Sequence, residues 1–350
     1  MDDIAIITGK WRTGVGHGSF AGNLIPGVCA LARHAGLSVS VHEIKPLFEL
    51  NIAKRKIGGY STIWPVRCLK HPKAKIVHAL DARVATPNTN IVTLLDVIPI
   101  VFPDVHINTA TAKIEWILRK NALLRAKKIL SISEFTKQEC VRYLGINKEK
   151  IEVCPIGIDS AFNPTSERSE FYKDGKLNIV TAGQNERKKN FPVLIEALGV
   201  LKEKGYDINF VRFGPSNWPE ETRKMQETAR RYGITLVEPG VVDIEVLRRA
   251  YSSFDVFVWP SIYEGMGLPP LEALACGAKV VALDLPFNRE FMGDVPVYVK
   301  NEPGAIAEGI LEALKMEIGD KGIKQAKKYT WERCASQHLK IYLDLLKAWF

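Results

Sequence analysis

The stretch that decides the fold is Glu264-Gly-Met-Gly-Leu-Pro-Pro-Leu-Glu272, followed directly by Ala-Leu-Ala-Cys-Gly. Residues 255–261 before it predict a buried strand, and the apolar run 268–276 predicts a helix with proline in its first turn, where a missing N–H costs nothing. Free N–H groups and the helix dipole make such a helix start an anion site. The two carboxylates lie roughly one nucleotide apart at about 1.5 Å per helical residue. This layout suits a hexose at Glu264, a ribose at Glu272 and phosphates between them.

A plainer interpretation of the same stretch stays open. A strand, a turn and a helix with two glutamates are common in α/β proteins, and Glu272 could be a solvated helix residue. The pattern alone therefore indicates a sugar–nucleotide site without excluding a purely structural role.

A second turn, Gly183-Gln-Asn-Glu-Arg-Lys-Lys-Asn-Phe191, follows the first predicted strand of the second half and runs into a helix. Basic side chains at a helix start lie at the unfavourable end of its dipole. A bound anion explains three of them there better than stability does. A solvated basic loop is the alternative.

A glycine-rich turn, Gly9-Lys-Trp-Arg-Thr-Gly-Val-Gly-His-Gly18, follows the first strand of the chain. A Gly-x-Gly between a strand and a helix lets backbone N–H groups approach a phosphate. One rival is a dinucleotide-binding turn with Glu43 as its ribose acid. About ten residues separate the strand from the helix start at Ser19, which is too long for that tight turn.

Length and composition predict two soluble domains with their own cores. The chain has 350 residues, of which 46% are hydrophobic and 25% charged, as in ordinary globular enzymes. No apolar run reaches the roughly 18–20 residues that span a bilayer, and the acidic start Met1-Asp-Asp is not a signal peptide. Six scattered cysteines without a Cys-x-x-Cys pair argue against a zinc site and favour reduced thiols in the cytoplasm.

The net charge of +9 lies entirely in the first half. Residues 1–160 hold 22 Lys and Arg against 13 Asp and Glu, whereas the remainder is balanced at 26 of each. A basic half favours phosphorylated substrates, an anionic membrane surface or nucleic acid as partners. No nucleic-acid-binding motif is present, so we expect no nucleic-acid partner.

Alternating short strands and helices predict an α/β fold made of two doubly wound, Rossmann-like domains that face a central cleft. Six strands are predicted in each half, including one at Ile234–Leu236. The predicted domains are residues 1–160 on the acceptor side and residues 161–330 for the nucleotide sugar. Residues 331–350 form a C-terminal helix that can cross back to the first domain.

The ordered set of motifs resembles the retaining GT-B glycosyltransferases of family four, the glycosyl transferases group 1. In the second half the resemblance rests on the two turns above and on segments 240–247, 255–261 and 288–294. In the first half it rests on segments 96–103, 131–137 and 151–159.

The resemblance implies a role for each matching residue. Glu264 would lie against the donor hexose, Glu272 would hold the ribose hydroxyls, and Lys189 would bind the diphosphate. The remaining donor-binding residues are the glycines of the loop beside the donor and the backbone N–H groups at the phosphates: Gly14, Gly16, Met266, Gly267 and Leu268.

Two departures from the family pattern affect the site. Gln184 stands where the family often has arginine, and Arg187 is our candidate to supply that charge. Leu95 stands where many members have a histidine near the reacting sugar, which leaves its neighbour Asp96 as the polar candidate. The predicted catalytic residues are therefore Glu264, Asp96 and Lys189.

The expected activity is transfer of a hexose, with mannose favoured, from a nucleotide diphosphate sugar with retention at the anomeric carbon. The chain has no Asp-x-Asp, so we expect no metal and no other cofactor. The acceptor is a sugar or a lipid-linked molecule. Alternatives are a catalytically silent sugar-nucleotide-binding protein, or a phosphorylase or epimerase with the same fold.

Basic residues interleaved with apolar ones predict peripheral docking on the cytoplasmic face of a membrane. They occur in segment 54–64 and in the helix 113–128. Each Lys or Arg near an anionic surface contributes about 1 kcal/mol. The alternative is that the helix packs its Ile and Leu residues on the domain core and solvates its basic face.

Overall fold

The structure is a computed structural model that describes residues 2–9, 17–43, 72–86, 88–317 and 319–347, with residues 17–19 described by their backbone only. The chain forms two compact units. The first contains residues 1–157 and 329–350, and the second contains residues 158–328.

The strands have the continuous apolar character of buried parallel strands. In Val256–Trp259, for example, every residue is buried. In chain order the strands are β1 (Asp2–Thr8), β2 (Val39–Glu43), β3 (Ala74–Ala79), β4 (Ile91–Leu94), β5 (Lys128–Ser131), β6 (Ile151–Val153), β7 (Leu177–Ala182), β8 (Ile208–Phe213), β9 (Leu236–Gly240), β10 (Val256–Trp259), β11 (Val280–Leu283) and β12 (Val297–Val299).

Helices lie between most consecutive strands and supply the parallel crossovers. They are α1 (His17–His34), α2 (Ile98–Val101), α3 (Pro103–His106), α4 (Ala110–Arg125), α5 (Glu134–Leu144), α6 (Phe191–Glu203), α7 (Pro219–Tyr232), α8 (Ile244–Ser253), α9 (Leu268–Ala275), α10 (Pro286–Met292), α11 (Pro303–Lys315), α12 (Lys321–Ala326) and α13 (Trp331–Lys347).

Each unit has one six-stranded parallel sheet in the part of the chain that the structure describes. The strand order is β2-β1-β3-β4-β5-β6 in the first unit and β12-β11-β10-β7-β8-β9 in the second. In both sheets the order reverses beside the first strand of the unit. Ligands of such sheets bind where the order reverses, beyond the carboxyl ends of the strands. The two-sheet α/β fold predicted from the sequence is confirmed.

One predicted strand, Ile234–Leu236, was misplaced. The chain leaves α7 through Gly233 at a φ of 62°, and the N–H of Ile234 donates back to the carbonyl of Ala229 at 2.9 Å. This arrangement closes the helix and buries Ile234 in the core of the second unit. The strand therefore begins at Leu236 and ends at Gly240.

Helix α13 belongs to the first unit, where it packs along α1. Its start lies against Gly157, where a Cβ would come within 2.2 Å of the backbone nitrogen of Trp331. Only glycine fits this approach without a backbone shift.

A buried polar network fixes α13 to the strands beneath it. His78 on β3 bonds to the Tyr342 hydroxyl at 2.6 Å and to the Thr93 hydroxyl at 2.8 Å. Cys154, just after β6, lies with its sulfur 3.2 Å from Nδ1 of His338. Burial holds the pKa of His78 well below its ordinary value, so it is neutral. Because these side chains come from four elements, the network specifies how α13 sits on the sheet.

Candidate functional site

The two loops that carry most of the predicted donor residues follow neighbouring strands of the second unit. Strand β7 pairs in parallel with β10, with Ile179 beside Val256. Because parallel strands end at the same edge of a sheet, the basic turn after β7 and the glycine turn after β10 meet at that edge.

Glu264 is buried between two lysines at this edge. Lys188 donates to its Oε2 at 2.8 Å, and Lys189 donates to its Oε1 at 2.6 Å. The Ser261 hydroxyl also donates to Oε1, at 2.6 Å. Both lysines are buried as well. Three charges are therefore held away from water, and each oxygen of the carboxylate has its own cation.

Trp259 covers one side of Lys189. The ammonium nitrogen lies 4.3 Å from the centroid of the indole ring, a favourable cation–π distance. On another side lies Gly183, where a Cβ would be 3.2 Å from the lysine Cε. The indole Nε1 of Trp259 has no hydrogen-bond partner among the described residues and lies next to Gly267.

The charges of the cluster shift one another's pKa values. Burial alone would raise the pKa of Glu264, but Lys188 and Lys189 outweigh it and lower the pKa to about 2. Burial lowers the pKa of Lys189, an effect that Glu264 opposes and Lys188 reinforces. Glu264 is therefore ionised at neutral pH.

Helix α9 begins beside this cluster without a side-chain cap. Its N-cap is Gly267 at a φ of 76°, a conformation that favours glycine, and prolines occupy its first turn. Among the described residues, no acceptor contacts the backbone N–H of Met266, Gly267 or Leu268. The positive end of α9 can thus receive an anion.

Glu272 lies in the second turn of α9 and is only partly exposed. Within the described part of the chain, no donor forms a hydrogen bond to its carboxylate. Burial, reinforced by the negative charge of Asp159, raises the pKa of Glu272 to about 8. The two glutamates of the motif are thus opposite in state, since Glu264 is charged and Glu272 carries a proton at neutral pH.

The remaining predicted residues are distributed as follows. Arg187 is exposed in the short 3-10 turn Arg187–Lys189 that precedes α6. Asp96 belongs to the first unit, where its carboxylate accepts from the N–H of Ile98 at 3.0 Å. Gly14 and Gly16 lie outside the described residues.

The sequence pattern gave Lys188 no role beyond its place in the basic turn and gave Ser261 and Trp259 none, although all three contact Glu264 or Lys189. The run Arg187-Lys-Lys189 signalled a basic turn. It did not signal which members point inward, because that depends on the 3-10 conformation of the turn. The apolar strand around Trp259 gave no sign that its indole ring contacts Lys189.

Sequence comparison identifies two families along the chain. Residues 163–330 match the family described as glycosyl transferases group 1, and residues 66–162 match glycosyltransferase family 4. Together these matches cover about three quarters of the chain.

Individual relatives and structures agree with this result. O-antigen chain mannosyltransferase B of Escherichia coli is 28% identical over 285 residues, which cover 77% of this chain and 72% of that protein. D-inositol 3-phosphate glycosyltransferase of Pseudarthrobacter chlorophenolicus is 27% identical over 62% of this chain and 56% of its own length. Sucrose-phosphate synthase of Thermosynechococcus elongatus shares the fold, with a TM-score of 0.75, 18% identity and coverage of 99% of this chain and 100% of that one.

The raised pKa of Glu272 predicts a pH-dependent stability. Between about pH 4.5 and 8 the folded protein holds a proton that the unfolded chain releases, so stability from this group falls as pH rises. The slope is at most about 1.4 kcal/mol per pH unit. We expect Glu272→Gln to remove this loss and to unfold at higher urea than the unmodified protein at pH 8.

The measurement is the urea midpoint from pH 5 to 8.5, with the exposed Glu308→Gln on α11 as the matched control. The control should follow the unmodified protein at every pH. Parallel curves for Glu272→Gln and the unmodified protein would contradict the assignment of a proton to Glu272.

Proposed function

Because its two matched regions make this chain a GT-B glycosyltransferase of group 1, we propose that it transfers a hexose, with mannose favoured, from a nucleotide diphosphate sugar with retention at the anomeric carbon. Glycosyltransferases of this kind use a nucleotide-sugar donor and a sugar acceptor. The hexose, the base of the donor and the stereochemistry are parts of the proposal.

The observation that carries the proposal is the charged cluster at the uncapped start of α9. Lys189 bonds to Glu264, and the chain passes from Glu264 into Met266, Gly267 and Leu268 at the start of α9, which has no side-chain cap. A cation and free N–H groups bind a diphosphate. The carboxylate is placed to accept hydrogen bonds from the hydroxyl groups of a sugar.

The proposed chemistry is departure of the nucleoside diphosphate through an oxocarbenium-like state. Negative charge grows on the bridging phosphate oxygen as the glycosidic bond breaks, and Lys189 with the α9 N–H groups stabilises it. Arg187 adds positive charge from the turn before α6. Glu272 binds the ribose hydroxyls. Gly14 and Gly16, which lie outside the described residues, keep the donor-binding role that the sequence motif implies. Asp96 is the polar candidate from the first unit.

The names of the relatives support mannose, since one of them is a mannosyltransferase. Another is named D-inositol 3-phosphate glycosyltransferase. An anionic or polyhydroxylated acceptor is therefore also compatible with the family. In our proposal the first unit selects the acceptor, which is a sugar or a lipid-linked molecule.

A catalytically silent sugar-nucleotide-binding protein is the second candidate, and Leu95 is the observation that favours it. An aliphatic side chain at that position can neither donate nor accept a proton. Release of nucleoside diphosphate from the donor separates the two functions, because a silent binder releases none.

The surface of α4 supports docking on an anionic membrane. Ile114 and Ile117 are 57% and 58% exposed and Leu124 is 43% exposed, whereas Leu123 is buried. Exposed basic residues Lys113 and Arg125 lie at the two ends of the same helix. Apolar side chains that enter the headgroup boundary next to basic ones bind anionic lipid. No helix of the described residues is long and apolar enough to cross a membrane. Segment 54–64, which we also predicted to dock, lies outside the described residues.

The donor site makes a prediction for two variants. A neutral Glu272 carboxyl can bond to both ribose hydroxyls, and each such hydrogen bond contributes roughly 0.5–1.5 kcal/mol. We therefore expect Glu272→Ala to bind nucleoside diphosphate about ten- to a hundred-fold more weakly. Lys189→Met should lose more turnover than donor affinity, since its charge is needed most as the bond breaks. A thermal-shift panel of GDP-, UDP- and ADP-sugars selects the donor, because a ligand at about 100 times its dissociation constant stabilises by about 2.7 kcal/mol. Unchanged nucleotide affinity in Glu272→Ala would refute the ribose role.

Metal independence is the second prediction of the proposal. Cationic side chains and helix N–H groups take the place of a carboxylate-bound metal at the diphosphate. We expect transfer activity after dialysis against chelator to equal the activity before it, measured as nucleoside diphosphate released. A complete loss that magnesium restores would overturn this account of the phosphate site.

Membrane docking is the third prediction. The protein should co-sediment with anionic vesicles at low salt and leave them as salt screens the attraction. The double variant Ile114→Ser, Ile117→Ser should bind more weakly, whereas Tyr206→Ser, which changes an exposed aromatic of the second unit, should bind like the unmodified protein. Equal binding to neutral and anionic vesicles, or binding to neither, would leave a soluble acceptor as the better choice.

A further inference from the structure

The two lysines on Glu264 are held differently. Lys188 has a second carboxylate nearby, Glu186 at 3.8 Å. Its own carbonyl accepts a hydrogen bond from the Ile262 N–H at 2.9 Å. The side-chain ammonium group and the backbone carbonyl of Lys188 therefore both bond to the loop that carries Glu264.

Lys189 has no comparable attachment to that loop beyond Glu264 itself. Its ammonium group lies over the Trp259 ring at 4.3 Å, and its stem passes beside Gly183. Neither neighbour competes for its hydrogen-bond donors. Among the described residues, the bond to Glu264 is the one hydrogen bond of the Lys189 ammonium group, so a bound diphosphate competes with that bond alone.

Loss of the Lys189 bond has a consequence for Glu264. A carboxylate that loses its partner in a buried place is strongly destabilised, because its water has already been removed. Lys188 stays 2.8 Å from the other carboxylate oxygen and compensates the charge. Because Lys188 keeps Glu264 paired, Lys189 can exchange its bond to the carboxylate for a bond to the ligand.

We propose that Lys188 is a positioning residue that keeps Glu264 ionised and in place while Lys189 engages the donor diphosphate. This inference rests on the proposed function, since it assumes a diphosphate at Lys189. It assigns different roles to these two adjacent lysines, which the sequence motif does not distinguish.

The charged groups around Glu264 define the expected pH effect. Its carboxylate is contacted by Lys188, Lys189 and the Ser261 hydroxyl, and Glu186 is a second acid near Lys188, at 3.8 Å. An opposite charge at this range lowers a carboxyl pKa by about 1–3 units. Removing Lys188 should raise the pKa of Glu264 by that amount, so the acid limb of the rate profile moves to higher pH.

The experiment compares Lys188→Met, Lys188→Arg and Lys189→Met. Lys279→Met is the control, because this partly buried lysine precedes β11 at the opposite edge of the same sheet and bonds to the Leu314 carbonyl. The measurements are kcat against pH with the donor chosen by the thermal-shift panel, and the dissociation constant of its nucleoside diphosphate. We expect Lys188→Met to keep most of its kcat at pH 6 and to lose up to about ten-fold by pH 4, because a Glu264 pKa raised from about 2 by about 1–3 units reaches at most about 5. Its nucleotide affinity should stay within about three-fold of the unmodified protein.

Lys188→Arg should restore most of the lost rate and the original acid limb, because arginine keeps the charge. Lys279→Met should match the unmodified protein. An unchanged pH profile in Lys188→Met, or a loss of nucleotide affinity as large as in Lys189→Met, would overturn the inference.

A ligand-free titration separates this inference from the proposed function. In Lys188→Met the fall of the urea midpoint between about pH 4.5 and 2 should be smaller than in the unmodified protein, because the folded-state pKa of Glu264 then lies closer to its unfolded value. Adding Glu264→Gln should abolish the difference. If no donor is bound or turned over by the unmodified protein, the proposed function fails, and the titration still tests the pairing. Coincident titration curves would show that Lys188 does not control the ionisation of Glu264.

Discussion

A carboxylate buried between two ammonium groups is the interaction on which the donor edge of the second unit depends. Withdrawing three charges from water costs several kcal/mol for each ion, and good geometry is needed to offset it. The geometry comes from the loop after β10, whose Ile262 N–H donates to the Lys188 carbonyl and whose Ser261 hydroxyl donates to Glu264. The two loops are therefore fixed to each other before any ligand arrives, which lowers the entropy that binding must oppose.

The two glutamates of one short motif show how position controls chemistry. Glu264 stands before α9 among cations and has a pKa of about 2, whereas Glu272 stands inside the helix near Asp159 and has a pKa of about 8. In the proposed function Glu264 lies beside the reacting sugar, where a permanent negative charge is favourable. A group that can both donate and accept suits a pair of ribose hydroxyls, which offer the same choice. The same residue type thus provides a fixed charge and an adjustable hydrogen-bond partner eight residues apart.

The sequence was most informative where structure is determined locally. The strand Val256–Trp259 and the start of α9 followed from an apolar run, two glycines and two prolines, and both are found as expected. The prediction of a strand at Ile234 was wrong, because this apolar residue lies in the turn that closes α7. The burial of Lys188 could not be predicted, since it depends on contact with a loop 76 residues away. Helix α4 carries exposed isoleucines that its composition alone would have allowed in a core.

The assignment of α13 to the first unit has a consequence for the order of folding. Because residues 329–350 complete a unit that begins with β1, the whole of residues 158–328 lies between two parts of one body. Chains emerge from the ribosome from their N-terminal end, and domains fold as they appear. The second unit is therefore fully synthesised while the face of α1 that α13 covers is still bare. The first unit therefore begins to be synthesised first but completes its fold last. Until α13 has been made, the apolar surface of α1 that it covers needs protection from aggregation.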